Sequence, residues 1–292
     1  MRPRAVRRKA RAKINVFLRV LGARADGYHD LESLIVRISL ADIVTVRPAE
    51  ALRVDVRGAA EIAGKVPSGG LNLALVAALA LADACPQPLG ARIVIDKRIP
   101  VAGGLGGGSA DAAATILALN ELWGCGLDPG ALADLAERIG SDVPAMLAEG
   151  SVLIGGRGEL VAPAEVAPMW WVLVRAEPGV RSPDAYRWWD EDGGRTGPDP
   201  EPLLAAAATG DVEALGPLLY NDLEGPVFAR RPDIAEAKER VLAAGALGAV
   251  MSGSGSSVVG LARDEAHARE LAAAVPEATA VAGLPSEDLR GG

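Results

Sequence analysis

Between Pro100 and Asp111 the chain reads PVAGGLGGGSAD, twelve residues that include five glycines. Glycine lets backbone N–H groups converge on an anion with no Cβ in the way, and a helix that opens directly after the glycines adds free donors and partial positive charge. An apolar alternation precedes Pro100 and a helical pattern starts at Ala110, so the segment fits a polyphosphate held at a helix N-terminus. It is not the P-loop, since no lysine follows the last glycine. It is not the dinucleotide fingerprint either, since no acidic residue suitably closes a following second strand. Glycines also serve close packing, but a plain strand-to-helix turn needs only about one or two of them.

Other chemically able side chains say less by themselves. Lys13 could end a basic tail, and Asp142, in Ser141-Asp142-Val143-Pro144, could cap the next helix. Tyr28 and His29 follow Gly27 and read as an interfacial aromatic and a polar loop residue. Cys85 and Cys125 lack metal-ligand spacing and sit among small and apolar residues, which predicts packed thiols rather than a disulfide or a nucleophile.

The elements that must position these residues follow from periodicity. From Lys13 the chain alternates, with Ile14, Val16, Leu18 and Val20 on one side and Lys13, Asn15, Phe17 and Arg19 on the other, as in a half-buried strand. Residues 52–57 and 92–96 alternate in the same way. Leu71 to Ala84 is apolar nearly all round and predicts a buried helix, while Ala112, Ile116, Leu119 and Trp123 form one face of another. A third helix follows the cap pair Asp128-Pro129 and carries Leu132, Leu135, Ala136 and Ile139 at the helical interval. A strand at Ser151 to Ile154 leads to a Pro/Ala-rich connection, Ala162 to Pro168, which places a domain boundary near residue 165, giving domains 1–165 and 166–292. The second half opens on a strand, Trp171 to Val174, passes through a loop from Asp190 to Pro202, and ends on a helix from Ile234 and two short strands around Ser252–Gly255, which reads as a hairpin turn. The class is α+β.

At 292 residues, half of them hydrophobic and 23% charged, the chain can bury a sizeable core, which excludes disordered and fibrous classes. No apolar run is long enough to cross a bilayer, so a cytoplasmic protein without a membrane partner is expected. Residues 1–13 hold seven basic side chains and no acid, and the net charge of −8 becomes −15 once those seven are set aside. An acidic body that is 3% aromatic argues against nucleic acid as a partner, and the basic segment reads as a frayed terminus.

The glycine loop, with Ser109 at the helix start, resembles the ATP-binding signature of the GHMP kinases. Four blocks, AKINVFLRVLGARADGYHDLES, IDKRIP, GSDVPAMLAEG and SGSGSSVVGL, resemble in the same order those of the diphosphocytidyl-methylerythritol kinases and cover about residues 11–260. The first block sets this group apart from homoserine, mevalonate and galactose kinases. The resemblance implies a two-domain GHMP kinase fold, with an N-terminal domain like ribosomal protein S5 and a ferredoxin-like C-terminal domain. It also implies ATP-dependent phosphorylation of the 2-hydroxyl of a cytidine diphosphate-linked methylerythritol, in the non-mevalonate route to isoprenoid precursors, with ATP and Mg²⁺ as cofactors.

Residue by residue, the resemblance implies Lys13 and Asp142 as the catalytic pair, the carboxylate accepting the hydroxyl proton and the ammonium easing the charge that develops. ATP would lie on Asn72 at the adenine side, Lys97, and the run Pro100, Val101, Ala102, Gly103, Gly104, Leu105, Gly106, Gly107, Gly108, Ser109 and Ala110. The small-molecule substrate would meet Asn15, Tyr28, His29, Asp142, Gly253 and Ser254. Tyr186 or Trp188 would cover the second face of the cytosine. Two alternatives stand beside this: a GHMP kinase of homoserine or mevalonate type, and a non-enzymatic RNA-binding module suggested by the S5-like half and the basic segment.

Overall fold

The computed structural model describes residues 5–67 and 69–284. The chain opens with a long antiparallel hairpin of β1 (Val6–Ala23) and β2 (His29–Pro48), whose register runs from Val6↔Val46 to Ala23↔His29. Then come β3 (Arg53–Gly58), a short α1 (Ala60–Ala63), α2 (Leu73–Ala84) and β4 (Ala91–Lys97). The glycine loop leads into α3 (Gly107–Trp123), followed by α4 (Pro129–Glu137), α5 (Val143–Leu147), β5 (Val152–Gly155) and β6 (Leu160–Pro163). The expected boundary near residue 165 falls between β6 and β7 (Trp170–Arg175). Beyond β7 lie α6 (Ser182–Glu191), α7 (Glu201–Thr209), α8 (Val212–Leu215), β8 (Tyr220–Asn221), α9 (Glu224–Arg230) and α10 (Pro232–Ala243). The last elements are β9 (Gly248–Met251), β10 (Ser257–Ala262), α11 (Glu265–Ala274) and β11 (Thr279–Ala282).

Two sheets result. The first has the order β3-β4-β2-β1-β8, with β5 on β2 and β6 on β5; the second is β11-β7-β10-β9. Strand β8 comes from the second half of the chain and lies parallel to β1, with Phe17 opposite Tyr220. One core packs α2 and α3 on the first sheet around Trp123, Leu81 and Ile95. A second joins the sheets through Ile14, Leu34, Trp171 and Leu261.

The helix signals act locally, as their chemistry requires. The Asp128 side chain accepts from Ala131 N at 2.9 Å, and the stripe Ala112, Ile116, Leu119 and Trp123 is buried along its whole length. Helix α2 departs from the expectation of all-round burial. It buries one face, Ala74, Ala77, Ala78 and Leu81, while Leu79 is half exposed, because α2 lies on the outside of the layer against α3.

Three further readings are corrected. Strand β1 is buried on both faces from Ala12 to Leu18, not half-buried, because the loops at Leu105 and Ser252 cover the side that carries Lys13 and Asn15. The basic segment is no frayed terminus: Val6 to Arg11 pair with β2, and Arg8 forms an ion pair with Glu121. Arg2 and Arg4 lie outside the described residues. Cys85 and Cys125 are not free thiols but a disulfide, with Cα atoms 5.0 Å apart, joining the end of α2 to the turn after α3. Forty residues separate the two in sequence, and only the packing of α2 on α3 brings them together. Among the described residues, no helix is long and apolar enough to cross a membrane.

Candidate active site

A cavity of about 420 Å³ opens where β1, the glycine loop, α2 and the β9–β10 turn converge. The loop's shape rests on positive-φ residues: Ala102 at 59°, Gly104 at 74° and Gly106 at 65°. A Cβ at Gly104 would fall 2.2 Å from Ser252 O, and one at Gly106 would fall 3.0 Å from Lys13 Cγ. These two glycines therefore let the loop close on the β9–β10 turn and let the lysine stem lie against the helix start. Gly106 is the N-cap of α3 and supplies no side-chain cap, so the first-turn donors of α3 have no side chain folded over them.

The carbonyl of Leu105 accepts from Lys13 N at 3.0 Å, which fixes β1 to the loop. A bulge between Arg11 and Lys13 turns the lysine side chain toward the cavity. Its Nζ is buried, donates to Asn15 Oδ1 and lies 3.8 Å from Asp142 Oδ2. Burial pushes the Lys13 pKa down, and the charge of Asp142 and a hydrogen bond to it pull it partly back. Asp142 precedes α5 with helical backbone angles and makes no side-chain cap bond, so its carboxylate is left facing the cavity. Asn15 is locked in turn: its Nδ2 donates to Ser33 Oγ at 2.7 Å, and its backbone N donates to Ser252 Oγ at 3.0 Å.

A second buried lysine also lines the cavity. Lys97 Nζ donates at 2.6 Å to both Asp42 Oδ2 and Asp111 Oδ2. Burial lowers its pKa, but the two carboxylates outweigh burial and leave it raised. One ammonium cannot neutralise two buried carboxylates, and burial beside Asp42 pushes Asp111 up to about 7 despite Lys97.

Most of the residues expected at a site are brought together here. Lys13, Asn15, Asn72, Lys97, Pro100 through Ser109, Asp142, Tyr186, Gly253 and Ser254 all line the cavity. Ala110 does not, since its methyl is buried on the far side of α3. Asn72 caps α2 by accepting from Ala74 N, beside Leu71, which is 78% exposed at the cavity mouth. The aromatic pair divides: Tyr186 lines the cavity and stacks on His29, with centroids 5.0 Å apart, whereas Trp188 lies under the guanidinium of Arg230. His29 Nε2 is 2.9 Å from Asp190 Oδ1, so the ring is held behind Tyr186. Tyr28 is half exposed at the hairpin tip, under Arg157, and outside the cavity wall.

Sequence reasoning missed the positioning residue Asn221 and read Ser252 only as part of a turn. Ser252 Oγ accepts from Asn15 N and donates to Gly104 O at 3.0 Å, tying β1 to the loop, and Asn221 Nδ2 donates to the carbonyls of Met251 and Gly253. For Asn221 the only sequence signal was an amide next to an apolar run, which is weak. Among the described residues no cluster of three or more His, Cys, Asp or Glu is arranged to hold a metal ion.

Residues 72–150 match the family model of the GHMP kinases N terminal domain, and residues 203–281 match that of the GHMP kinases C terminal domain. The chain is 45% identical over 259 residues to a 4-diphosphocytidyl-2-C-methyl-D-erythritol kinase of Symbiobacterium thermophilum, covering 87% of this chain and 89% of that protein. It is 42% identical over 275 residues to the kinase of the same name from Salinispora tropica, covering 92% and 87%. A crystal structure of a 4-(cytidine 5'-diphospho)-2C-methyl-D-erythritol kinase aligns with a TM-score of 0.81 at 38% identity, over 96% of this chain and 100% of the other. A homoserine kinase from Cytophaga hutchinsonii, 20% identical over 97% and 95%, shares the fold with a TM-score of 0.74. With a phosphate-type glycine loop, a lysine–carboxylate pair in one cavity and this degree of identity over most of its length, the chain belongs to the 4-diphosphocytidyl-2-C-methyl-D-erythritol kinase family of the GHMP kinases.

Proposed function

We propose that this protein transfers the γ-phosphoryl group of ATP to the 2-hydroxyl of 4-diphosphocytidyl-2-C-methyl-D-erythritol, a step toward isoprenoid precursors. The observation that carries the reading is the Lys13–Asp142 pair, 3.8 Å apart in the wall that also holds the glycine loop. The Asp142 carboxylate accepts the proton of the acceptor hydroxyl as its oxygen bonds to phosphorus, and the bond from phosphorus to the leaving diphosphate oxygen breaks. The Lys13 ammonium, poorly solvated and held by Asn15, offsets the charge that gathers on the transferring oxygens.

The nucleotide fits the loop, because the open first turn of α3 offers donors to phosphate, and glycine at 104 and 106 lets the loop close on Ser252 and on the Lys13 stem. Asn72, with Leu71 beside it, takes the adenine end. Magnesium also fits as a companion of the phosphates. Ser109 and Asp111 line the cavity, and Asp111 Oδ1 is buried without a partner, a hard oxygen donor of the type this ion takes. When bound, the ion neutralises charge on the transferring phosphates. Support for the cytosine end comes from Tyr186, stacked on a histidine that Asp190 orients. Tyr28, exposed at the tip, closes over the base from the other side. Gly253 and Ser254 meet the substrate phosphates.

The test is ADP release with cytidine and uridine forms of the substrate, with homoserine and with mevalonate. The cytidine form is expected to be preferred over the uridine form by about 2 kcal/mol in kcat/KM, since uracil would leave polar groups mispaired. Equal turnover of the two forms, or a better rate with homoserine or mevalonate, would reject the assignment.

A further inference from the structure

From Lys13 a row of buried polar groups leads into the β1–β2 hairpin. Lys13 Nζ donates to Asn15 Oδ1, Asn15 Nδ2 donates to Ser33 Oγ at 2.7 Å, and the Ser33 hydroxyl donates to Phe17 O. All three side chains are buried, Ser33 completely, and Ser33 does not line the cavity. The row crosses between the strands where their ladder shifts register between Asn15 and Phe17, which brings Ser33, the partner of Leu18, to both residues.

The two ends of the row fix its direction. An ammonium can only donate, and a backbone carbonyl can only accept. The hydroxyl proton is therefore spent on Phe17 O, which leaves Ser33 Oγ as an acceptor for the amide NH2 of Asn15. Turned the other way round, the same amide would set donor against donor at Lys13 and acceptor against acceptor at Ser33. The main chain of Asn15 is held separately, by Ser252 Oγ at 3.0 Å, so what Ser33 contributes to Asn15 is the setting of its side chain.

That setting matters to a lysine with one carboxylate, 3.8 Å away. The Asn15 oxygen is its nearer acceptor, and an acceptor on the charged form helps a buried amine keep its proton. The other ionisable groups around Lys13 are Asp142 before α5, Tyr186 of α6, Lys97 of β4 and Asp111 of α3 in the cavity wall, and Arg37, its ladder partner on β2. None of these belongs to the row, so Ser33 reaches Lys13 through Asn15.

We infer that Ser33 is a positioning residue for the reaction: its hydroxyl, anchored on Phe17 O, fixes the Asn15 amide with the oxygen toward Lys13 and so keeps the ammonium charged and in place. The inference rests on the phosphoryl transfer proposed above, in which Lys13 acts as a cation.

The test is a double-mutant cycle of Ser33→Ala and Asn15→Ala, read in two ways. One is steady-state turnover of the cytidine substrate; the other is the pKa of Lys13, followed by NMR in lysine-labelled protein without any substrate. Ser33→Ala alone should lower kcat by about tenfold, the loss of one hydrogen bond to a charged group's partner, while KM for ATP stays within about twofold. It should also lower the Lys13 pKa, so that the alkaline limb of the kcat profile moves to lower pH. In the Asn15→Ala background the same change should alter kcat by less than about twofold and leave the pKa where it is. Ser33→Thr, which keeps the hydroxyl on a residue suited to a strand, should restore both readouts. An equal loss of kcat in the two backgrounds, or a Lys13 pKa that Ser33→Ala does not move, overturns the inference. A chain that fails to phosphorylate the cytidine substrate yet passes the pKa cycle rejects the proposed function and retains Ser33 as the residue that positions Lys13.

Discussion

Lys13 and Lys97 are both buried in the wall of one cavity, yet their surroundings are opposite. Lys97 is clamped at 2.6 Å by two carboxylates, one of which, Asp42, also accepts from Ile99 N at 2.8 Å. Lys13 has one carboxylate, 3.8 Å away, and an amide oxygen. The clamped lysine has its pKa raised, and the loosely held one has its pKa lowered by burial. A cation satisfied by its neighbours has little left for a ligand; one left wanting can gain when negative charge develops nearby. We propose from this difference that Lys97 holds β4, β2 and α3 together behind the glycine loop, while Lys13 serves the phosphoryl transfer proposed above.

The sharpest way to break this contrast is Lys97→Met, which strands two buried carboxylates. We expect a loss of about 3–5 kcal/mol in unfolding free energy, read from denaturant melts, with any folded fraction still turning over. A stable but inactive variant would move Lys97 into the catalytic machinery. Next in size is Asp142→Asn, expected to lower kcat by about 10²- to 10³-fold with the melt unchanged, because the side chain makes no cap bond that folding needs. Residual activity should also fail at lower pH than in the wild type, since removing Asp142 removes the charge that pulls the Lys13 pKa up. Lys13→Met should cost about 2–3 kcal/mol in transition-state stabilisation, visible in kcat rather than KM, while the melting temperature holds or rises. A change confined to KM would contradict the role given to it.

The smallest expected effect is on pH and stability. The Asp111 carboxyl is raised from 3.8 to about 7, so across that window the folded chain holds more protons than the unfolded one. Its contribution is therefore fully present below the window and is lost as pH rises through it. Asp111→Asn should flatten the fall in melting temperature between pH 5 and pH 7. An unaltered slope would place the proton on another group.

Legibility in the sequence follows the range of each interaction. The cap at Asp128, the buried stripe of α3 and the glycine loop depend on residues within a turn or two and could be read directly. The clamp on Lys97 joins residues 42, 97 and 111, and the Cys85–Cys125 bridge spans 40 positions, so neither left a local periodicity. Lys13 and Asp142 were ambiguous as single residues and became a pair only through family resemblance. The buried Arg37 of β2 left no local signal in the sequence, because the helix α3 packed against that strand comes from residues far along the chain.

The hydroxyl of Ser252 carries a consequence for how the protein comes into being. It accepts from Asn15 N and donates to Gly104 O, and β8 lies beside β1 at Phe17. The residues that hold the two walls of the cavity together are thus synthesised more than two hundred positions after Asn15, which they fix. A nascent chain halted before Ser252 has emerged from the ribosome would carry every residue proposed for the phosphate loop and the catalytic pair, yet lack the seam between them. We expect such stalled chains to show no kinase activity and release past Ser252 to switch it on, so that translation itself times the first turnover.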